Sequence, residues 1–78
     1  MQNEITIHGV YYTRKSGYNY EIKGNVNGKD VTAYTNDGEA FDYIRYDAQW
    51  GTEEEDKEYY RNAVAHCNYK LEEAYNNL

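Results

Sequence analysis

Asn27-Gly28, set between two runs of alternating apolar residues, constrains this chain more than any other pair in it. A two-residue connection between antiparallel strands needs positive φ at both positions, and Asn-Gly supplies that at little steric cost. With a further turn signal at Lys15-Ser16-Gly17, residues 4–36 read as three antiparallel strands: about Glu4 to Arg14, Tyr18 to Val26 and Lys29 to Thr35.

The turns also predict the pairing. Taking Asn27-Gly28 as the two-residue turn opposes Val26 to Lys29, Gly24 to Val31, Ile22 to Ala33 and Tyr20 to Thr35. Taking Ser16-Gly17 the same way opposes Tyr20 to Thr13, Ile22 to Tyr11, Gly24 to Gly9 and Val26 to Ile7. Both choices select one apolar face, made of Ile5, Ile7, Tyr11, Tyr20, Ile22, Val26, Val31 and Ala33. Gly9 and Gly24 would adjoin on it, leaving a shallow place for a helix backbone or a large ring. The opposite face holds His8, Val10, Tyr12, Glu21, Lys23, Thr32 and Tyr34. Its Val10, Tyr12 and Tyr34 read either as cross-strand support for an open sheet or as a secondary binding patch.

Beyond the strands, residues 38–46 fit two descriptions. Asp37 suits the cap of a short helix with Phe41 and Ile44 turned inward, whereas Phe41, Tyr43 and Arg45 also alternate as a fourth strand would. The helix is preferred, because Glu39 and Ala40 suit a first turn. Residues 47–51 form the main loop, and Thr52 to Glu55 has the spacing of a capping box, with acids that favour the helix dipole. Tyr60, Val64, Cys67, Leu71, Ala74 and Leu78 then recur at spacings of four and three, the stripe of a long amphipathic helix. The expected fold is α+β in a single domain over residues 1–78: a three-stranded antiparallel meander packed on a long C-terminal helix, with a short helix between them or a fourth strand in its place.

A chain of 78 residues has one modest core, burying roughly 60 to 65 percent of its unfolded surface. No apolar run approaches the roughly 18 residues of a membrane span, and Met1-Gln2-Asn3-Glu4 lacks signal-peptide character, so no membrane association and a cytoplasmic location are expected. Cys67 is the only cysteine, which leaves no intrachain disulfide or thiolate cluster and fits a reducing compartment. Eleven tyrosines against one Phe and one Trp supply bulk to a core short of Leu and Phe, and about half are expected to lie in the core or at its edge.

The charge is unevenly placed. Residues 37–78 set eleven acidic against four basic side chains, a net of −7, whereas residues 1–36 set three against four. A total of −6 argues against direct binding of nucleic acid, which needs a positive footprint. It favours a basic partner. Glu53, Glu54, Glu55, Asp56 and Glu58 crowd two helical turns with only Lys57 and Arg61 beside them, and Asp37, Glu39, Asp42 and Asp47 precede them. Dipole compensation together with solubility explains the first three acids as well as a partner-binding role does. Asp56 and Glu58 fit better a rigid run of carboxylates spaced like phosphates, which a groove made for DNA or RNA would accept. Trp50, just before the run, reads as a partner anchor or as a plug for the core, and Tyr46 is a second candidate anchor.

Catalytic signals are weak. His66 and Cys67 are adjacent on the helix and point apart, so they make no dyad, and Cys67 belongs to the apolar stripe. His8 and His66 have no metal-ligand spacing, and the glycines match no phosphate-binding loop, so neither a metal nor a cofactor is expected. The acids look exposed, unlike the buried carboxyl that acid-base catalysis requires. The chain is read as non-enzymatic.

In its Asn27-Gly28 turn, its acidic cap from Thr52 to Glu58 and its tyrosine-rich small sheet, the chain resembles the small acidic proteins that bacteriophages and mobile elements encode against host defences, anti-CRISPR proteins in particular. The likeness covers the whole chain in size, acidity and layout, and no family motif carries a residue across. It implies a stoichiometric inhibitor, acting in the host cytoplasm if phage-encoded, that binds a CRISPR effector complex and blocks target DNA by charge and shape. Read from the residues alone, the partner is a basic nucleic-acid-binding protein. Glu53, Glu54, Asp56 and Glu58, with Asp42 and Asp47, would pair with its Lys and Arg, while Trp50 or Tyr46 anchors the contact. A monomer or weak homodimer is expected. The alternative is a structural or adaptor module docking a protein through Val10, Tyr12 and Tyr34.

Overall fold

At the turn between the second and third strands Asn27 takes φ 54° and Gly28 φ 89°, the left-handed pair that a two-residue hairpin connection requires. Asn25 braces it, accepting from Gly28 N–H at 2.8 Å and donating to Asp30 at 3.1 Å. The computed structural model describes residues 2–78. Its strands β1 (Ile5–Tyr12), β2 (Tyr20–Val26) and β3 (Lys29–Thr35) form an antiparallel sheet in the order β1-β2-β3. The elements that follow are a short helix α1 (Gly38–Ala40), a π-helical turn (Phe41–Arg45) and a long helix α2 (Glu53–Asn76). With Cα extents of 39 × 33 × 15 Å the molecule is two layers thick, sheet and helix.

The β2–β3 register is the one the turn dictates: Val26 opposes Lys29, Gly24 opposes Val31, Ile22 opposes Ala33 and Tyr20 opposes Thr35. The β1–β2 register differs from the expected one. Ile5 opposes Val26, Ile7 opposes Gly24, and after a bulge between Ile7 and Gly9 Val10 opposes Ile22 and Tyr12 opposes Tyr20. Two causes act together. Ser16-Gly17 does not connect the strands by itself; it is the centre of a turn closed by Tyr18 N–H to Lys15 O, inside a longer loop closed by Thr13 N–H to Asn19 O. His8 then adds an unpaired residue to β1, and one extra residue exchanges the faces of everything beyond it. Ile5 and Ile7 therefore stay on the helix side. Val10 crosses into the core at 1% exposure, while Tyr11 moves to the outer face.

Gly9 and Gly24 consequently do not adjoin. A Cβ on Gly24 would lie 2.5 Å from Leu71 Cδ1 and 2.5 Å from the Thr6 carbonyl, so the bare backbone is what lets α2 approach the sheet. Gly9 is covered by the Tyr11 ring instead.

The segment after β3 is helical, not a fourth strand. Asp37 caps it, accepting from Glu39 N–H at 2.9 Å. Phe41 and Tyr43 are both buried although roughly 200° apart on a regular helix. They face different neighbours, Phe41 toward the rings of Tyr12 and Tyr20 and Tyr43 toward Tyr59 of α2. Asp47 closes the segment in a left-handed conformation, φ 50°, with Tyr46 and Ala48 N–H both donating to the Asp42 carbonyl.

α2 buries Ala63, Cys67 and Leu71. The expected stripe is thus displaced at its start: Tyr60 is exposed, and Tyr59 lies inward one residue before it. Leu78 is exposed as well. At 24 residues α2 is about 36 Å long, whereas an eight-residue strand spans about 26 Å. Its first turns are covered by Tyr43 and the preceding loop, not by the sheet. Of the eleven tyrosines, Tyr20, Tyr34, Tyr43, Tyr59 and Tyr75 are buried or half-buried and the other six are exposed.

Candidate partner-binding surface

The acidic run is organised by its helix cap. Thr52 Oγ1 accepts from Glu55 N–H at 3.2 Å, and Glu55 Oε1 accepts from Thr52 N–H at 2.9 Å, completing the expected capping box. These bonds, the one from the Thr52 backbone foremost, hold the Glu55 carboxyl below its ordinary range against burial and the charge of Asp56.

Asp56 is diverted in a different way. Its Oδ1 accepts from Gly51 N–H at 3.0 Å and from the Tyr43 hydroxyl at 3.1 Å, pinning the loop to the start of α2. Burial first, and the bond to Asp56 second, push the Tyr43 phenol up. Asp56 is therefore turned inward and half-buried, unlike the free carboxylate expected at that position. Glu53, Glu54 and Glu58 point to solvent, Glu53 with Lys57 at 3.5 Å. Asp47 is exposed in the loop and Asp42 is half-buried in the π-helical turn.

Trp50 stands beside these acids at 66% exposure, its ring edge-on to Tyr43 at 5.5 Å between centroids. It does not plug the core. Between the loop and α2 runs an open groove of about 830 Å³ lined by Tyr43, Asp47, Glu53, Lys57, Tyr60 and Arg61, among others. Its lining carries both signs, Asp47, Glu53 and Asp56 with Lys57 and Arg61.

Tyr46 belongs to a different cluster. Its ring packs edge-on against Phe41 at 5.2 Å, and Phe41 also contacts Tyr12 at 4.6 Å and stacks on Tyr20 at 4.5 Å. The Arg45 guanidinium lies 5.1 Å from the Tyr11 ring and 5.6 Å from that of Tyr46, and it donates to the Val10 carbonyl at 3.5 Å. Arg45 thus wraps the open edge of β1 between the two faces of the sheet. Tyr12 and Tyr46 remain 70% and 60% exposed. The β1–β2 register set by the 13–19 loop separates the secondary patch: Val10 is in the core, Tyr12 is on the helix side, and Tyr34 is on the outer face against Tyr18 and Lys15.

Sequence reasoning missed one polar cluster. His66 Nε2 shares a 2.7 Å hydrogen bond with the Thr35 hydroxyl, which also accepts from Asp37 N–H at 3.0 Å, while His66 Nδ1 lies 3.7 Å from Asp37 Oδ2. Hydroxyl, imidazole and carboxylate follow the order of a hydrolase triad, yet Thr35 is 3% exposed and its oxygen is already engaged. The cluster fastens β3 to α2. Thirty-one residues separate its partners, beyond the reach of any local pattern. The Cys67 thiol beside it is pushed up to about 12, chiefly by burial, and is a packing group. Among the described residues no three His, Cys, Asp or Glu side chains converge as a metal-binding group, and no helix is long and apolar enough to cross a membrane.

Comparison with protein-family models, with characterised protein sequences and with solved structures returns no match. The roles assigned to these residues rest on their chemistry and geometry alone.

Proposed function

We propose that the chain is a non-enzymatic inhibitor that binds a basic nucleic-acid-binding protein, in its most specific form a CRISPR effector complex, and occupies the surface meant for target DNA. The observation that carries this reading is the exposure of Glu53, Glu54 and Glu58 on the first turns of α2, together with that of Asp47 and Trp50 in the loop that leads into it. Carboxylates on a capped helix lose little freedom on binding, and the aromatic ring adds apolar contact where charge alone would be screened. Asp56 serves the reading indirectly, by holding Trp50 and its loop in place.

The test is a titration of tagged protein against purified effector complexes and other basic nucleic-acid-binding proteins, at stepped salt, comparing wild type with Glu53→Lys/Glu54→Lys/Glu58→Lys. Asp56 is left intact so that the loop keeps its anchor. Wild-type binding that weakens with salt and disappears in the triple variant is the expected result. Equal binding by both proteins would overturn the proposal.

A second reading has its own support. Tyr12 and Tyr46 form an exposed aromatic shelf on either side of Phe41, with Arg45 against Tyr46, the composition of a protein-docking site, so an adaptor module would bind there and not through the dispersed Val10, Tyr12 and Tyr34. Salt-insensitive capture lost on Tyr12→Ala/Tyr46→Ala would favour it.

A further inference from the structure

The two edges of the sheet are treated differently. On β1 the bulge at His8 breaks the edge, Arg45 occupies the Val10 carbonyl and the π-helical turn lies alongside. Such devices keep an edge strand from pairing with another chain. β3 has none of them: its seven residues pair with β2 without a register shift, it contains no proline, and it ends the sheet.

The register fixes which groups are free. The residues of β3 opposite Val26, Gly24, Ile22 and Tyr20 direct their N–H and C=O toward β2, so Asp30, Thr32 and Tyr34 direct theirs outward. Next to this edge is a groove of about 160 Å³ between β3 and α2, lined by Thr32, Ala33 and Tyr34 on one side and by Lys70, Glu73 and Ala74 on the other.

We infer that the β3 edge is a self-association surface, at which a second copy of this chain pairs antiparallel about a two-fold axis at Thr32 to make a six-stranded sheet. The strand is self-complementary in that register. Thr32 meets Thr32, Asp30 meets Tyr34 and Val31 meets Ala33, so no like charges oppose each other and the apolar rows of the two copies become continuous. The ends agree in charge, with Lys29 starting the strand and Asp37 and Glu39 following it, so antiparallel pairing brings opposite signs together where parallel pairing would not. The two α2 helices, each packed over β2 and β3, would lie about 10 Å apart, two strand spacings. Lys70 and Glu73 of each copy would line the cleft between them. This association is independent of the acidic surface, which lies at the other end of α2.

The test is sedimentation of the full-length protein over a concentration series, joined to amide hydrogen exchange. A monomer–dimer equilibrium is expected, with the amides of Asp30, Thr32 and Tyr34 gaining protection as concentration rises. Thr32→Pro removes the N–H on the axis and should weaken association about tenfold or more. Because a proline could disturb the strand itself, Thr32→Lys, which places like charges opposite each other on the axis, is the second variant. A protein monomeric up to millimolar concentration, a dimer unchanged by Thr32→Lys, or a dimer in which those three amides stay unprotected would each overturn the inference.

Discussion

The two halves of α2 are held in place by different forces. From Ala63 onward the helix is fixed by apolar burial, with Ala63, Cys67 and Leu71 against the sheet and Leu71 seated on the bare backbone of Gly24. Before Ala63 it overhangs the sheet and is fixed by hydrogen bonds: the Thr52–Glu55 cap, and Asp56 to Gly51 and Tyr43. Burial is cooperative and global, whereas a cap or a pinned loop is local. The surface that carries the charge is therefore mounted on the fold without being part of its core, and its outward acids can change with little effect on folding.

Leu71→Ala should break this division most severely. It removes the knob that fills the space over Gly24, and truncation of a buried leucine costs about 2–5 kcal/mol, a large share of what so small a domain has. Denaturant unfolding should show a lower midpoint with both halves of α2 lost together. A variant that melts only residues 63–76 and keeps Trp50 in place would contradict the cooperative core.

Asp56→Ala comes next. Losing two hydrogen bonds, one to a buried hydroxyl, costs about 1–3 kcal/mol, and the loop that carries Trp50 is released. Trp50 fluorescence and near-ultraviolet dichroism should change well below the unfolding transition, while the far-ultraviolet signal of α2 is retained. Unchanged Trp50 signals would show that the loop is held by the Tyr43–Trp50 contact alone.

What could be read in advance follows the same division between local and distant causes. The β2–β3 register and the Thr52 cap were legible because each depends on residues adjacent in sequence: Asn27-Gly28 for one, Thr52 and Glu55 for the other. The β1–β2 register was not, because neither the loop length at 13–19 nor the bulge at His8 has a local signature; both are settled by burying Val10. The acidic site was legible as composition but not as geometry. Thr52 to Glu58 places Asp56 on a helix face, but only the approach of Tyr43 from residues 41–45 turns that carboxylate inward, and only the longer loop at 13–19 puts Val10 and Tyr12 on the face opposite Tyr34. A pattern of Tyr59, Ala63, Cys67 and Leu71 was present as an alternative stripe, and Tyr59 could have been preferred over Tyr60 on its four-residue spacing to the small Ala63.

The smallest effect expected is at the cap. Thr52→Ala should cost about 1 kcal/mol, confined to the first turn of α2. Its signature is in the pH dependence. The folded Glu55 carboxyl is depressed below its ordinary value of 4.5, so its contribution is present above that value and is lost as pH falls through the lower, folded value. In Thr52→Ala the bond from the residue 52 N–H, the larger cause, is kept and only the side-chain cause is lost, so the depression is relieved in part and the difference in stability between wild type and variant should narrow modestly as acid is added through that window. A difference that stays constant with pH would mean that the threonine caps the helix without its reciprocal partner. The acidic surface would then be mounted on a helix whose first turn is held by Asp56 and the dipole alone, and the outward carboxylates of Glu53 and Glu54 would be less rigidly presented than the bond lengths of the box require.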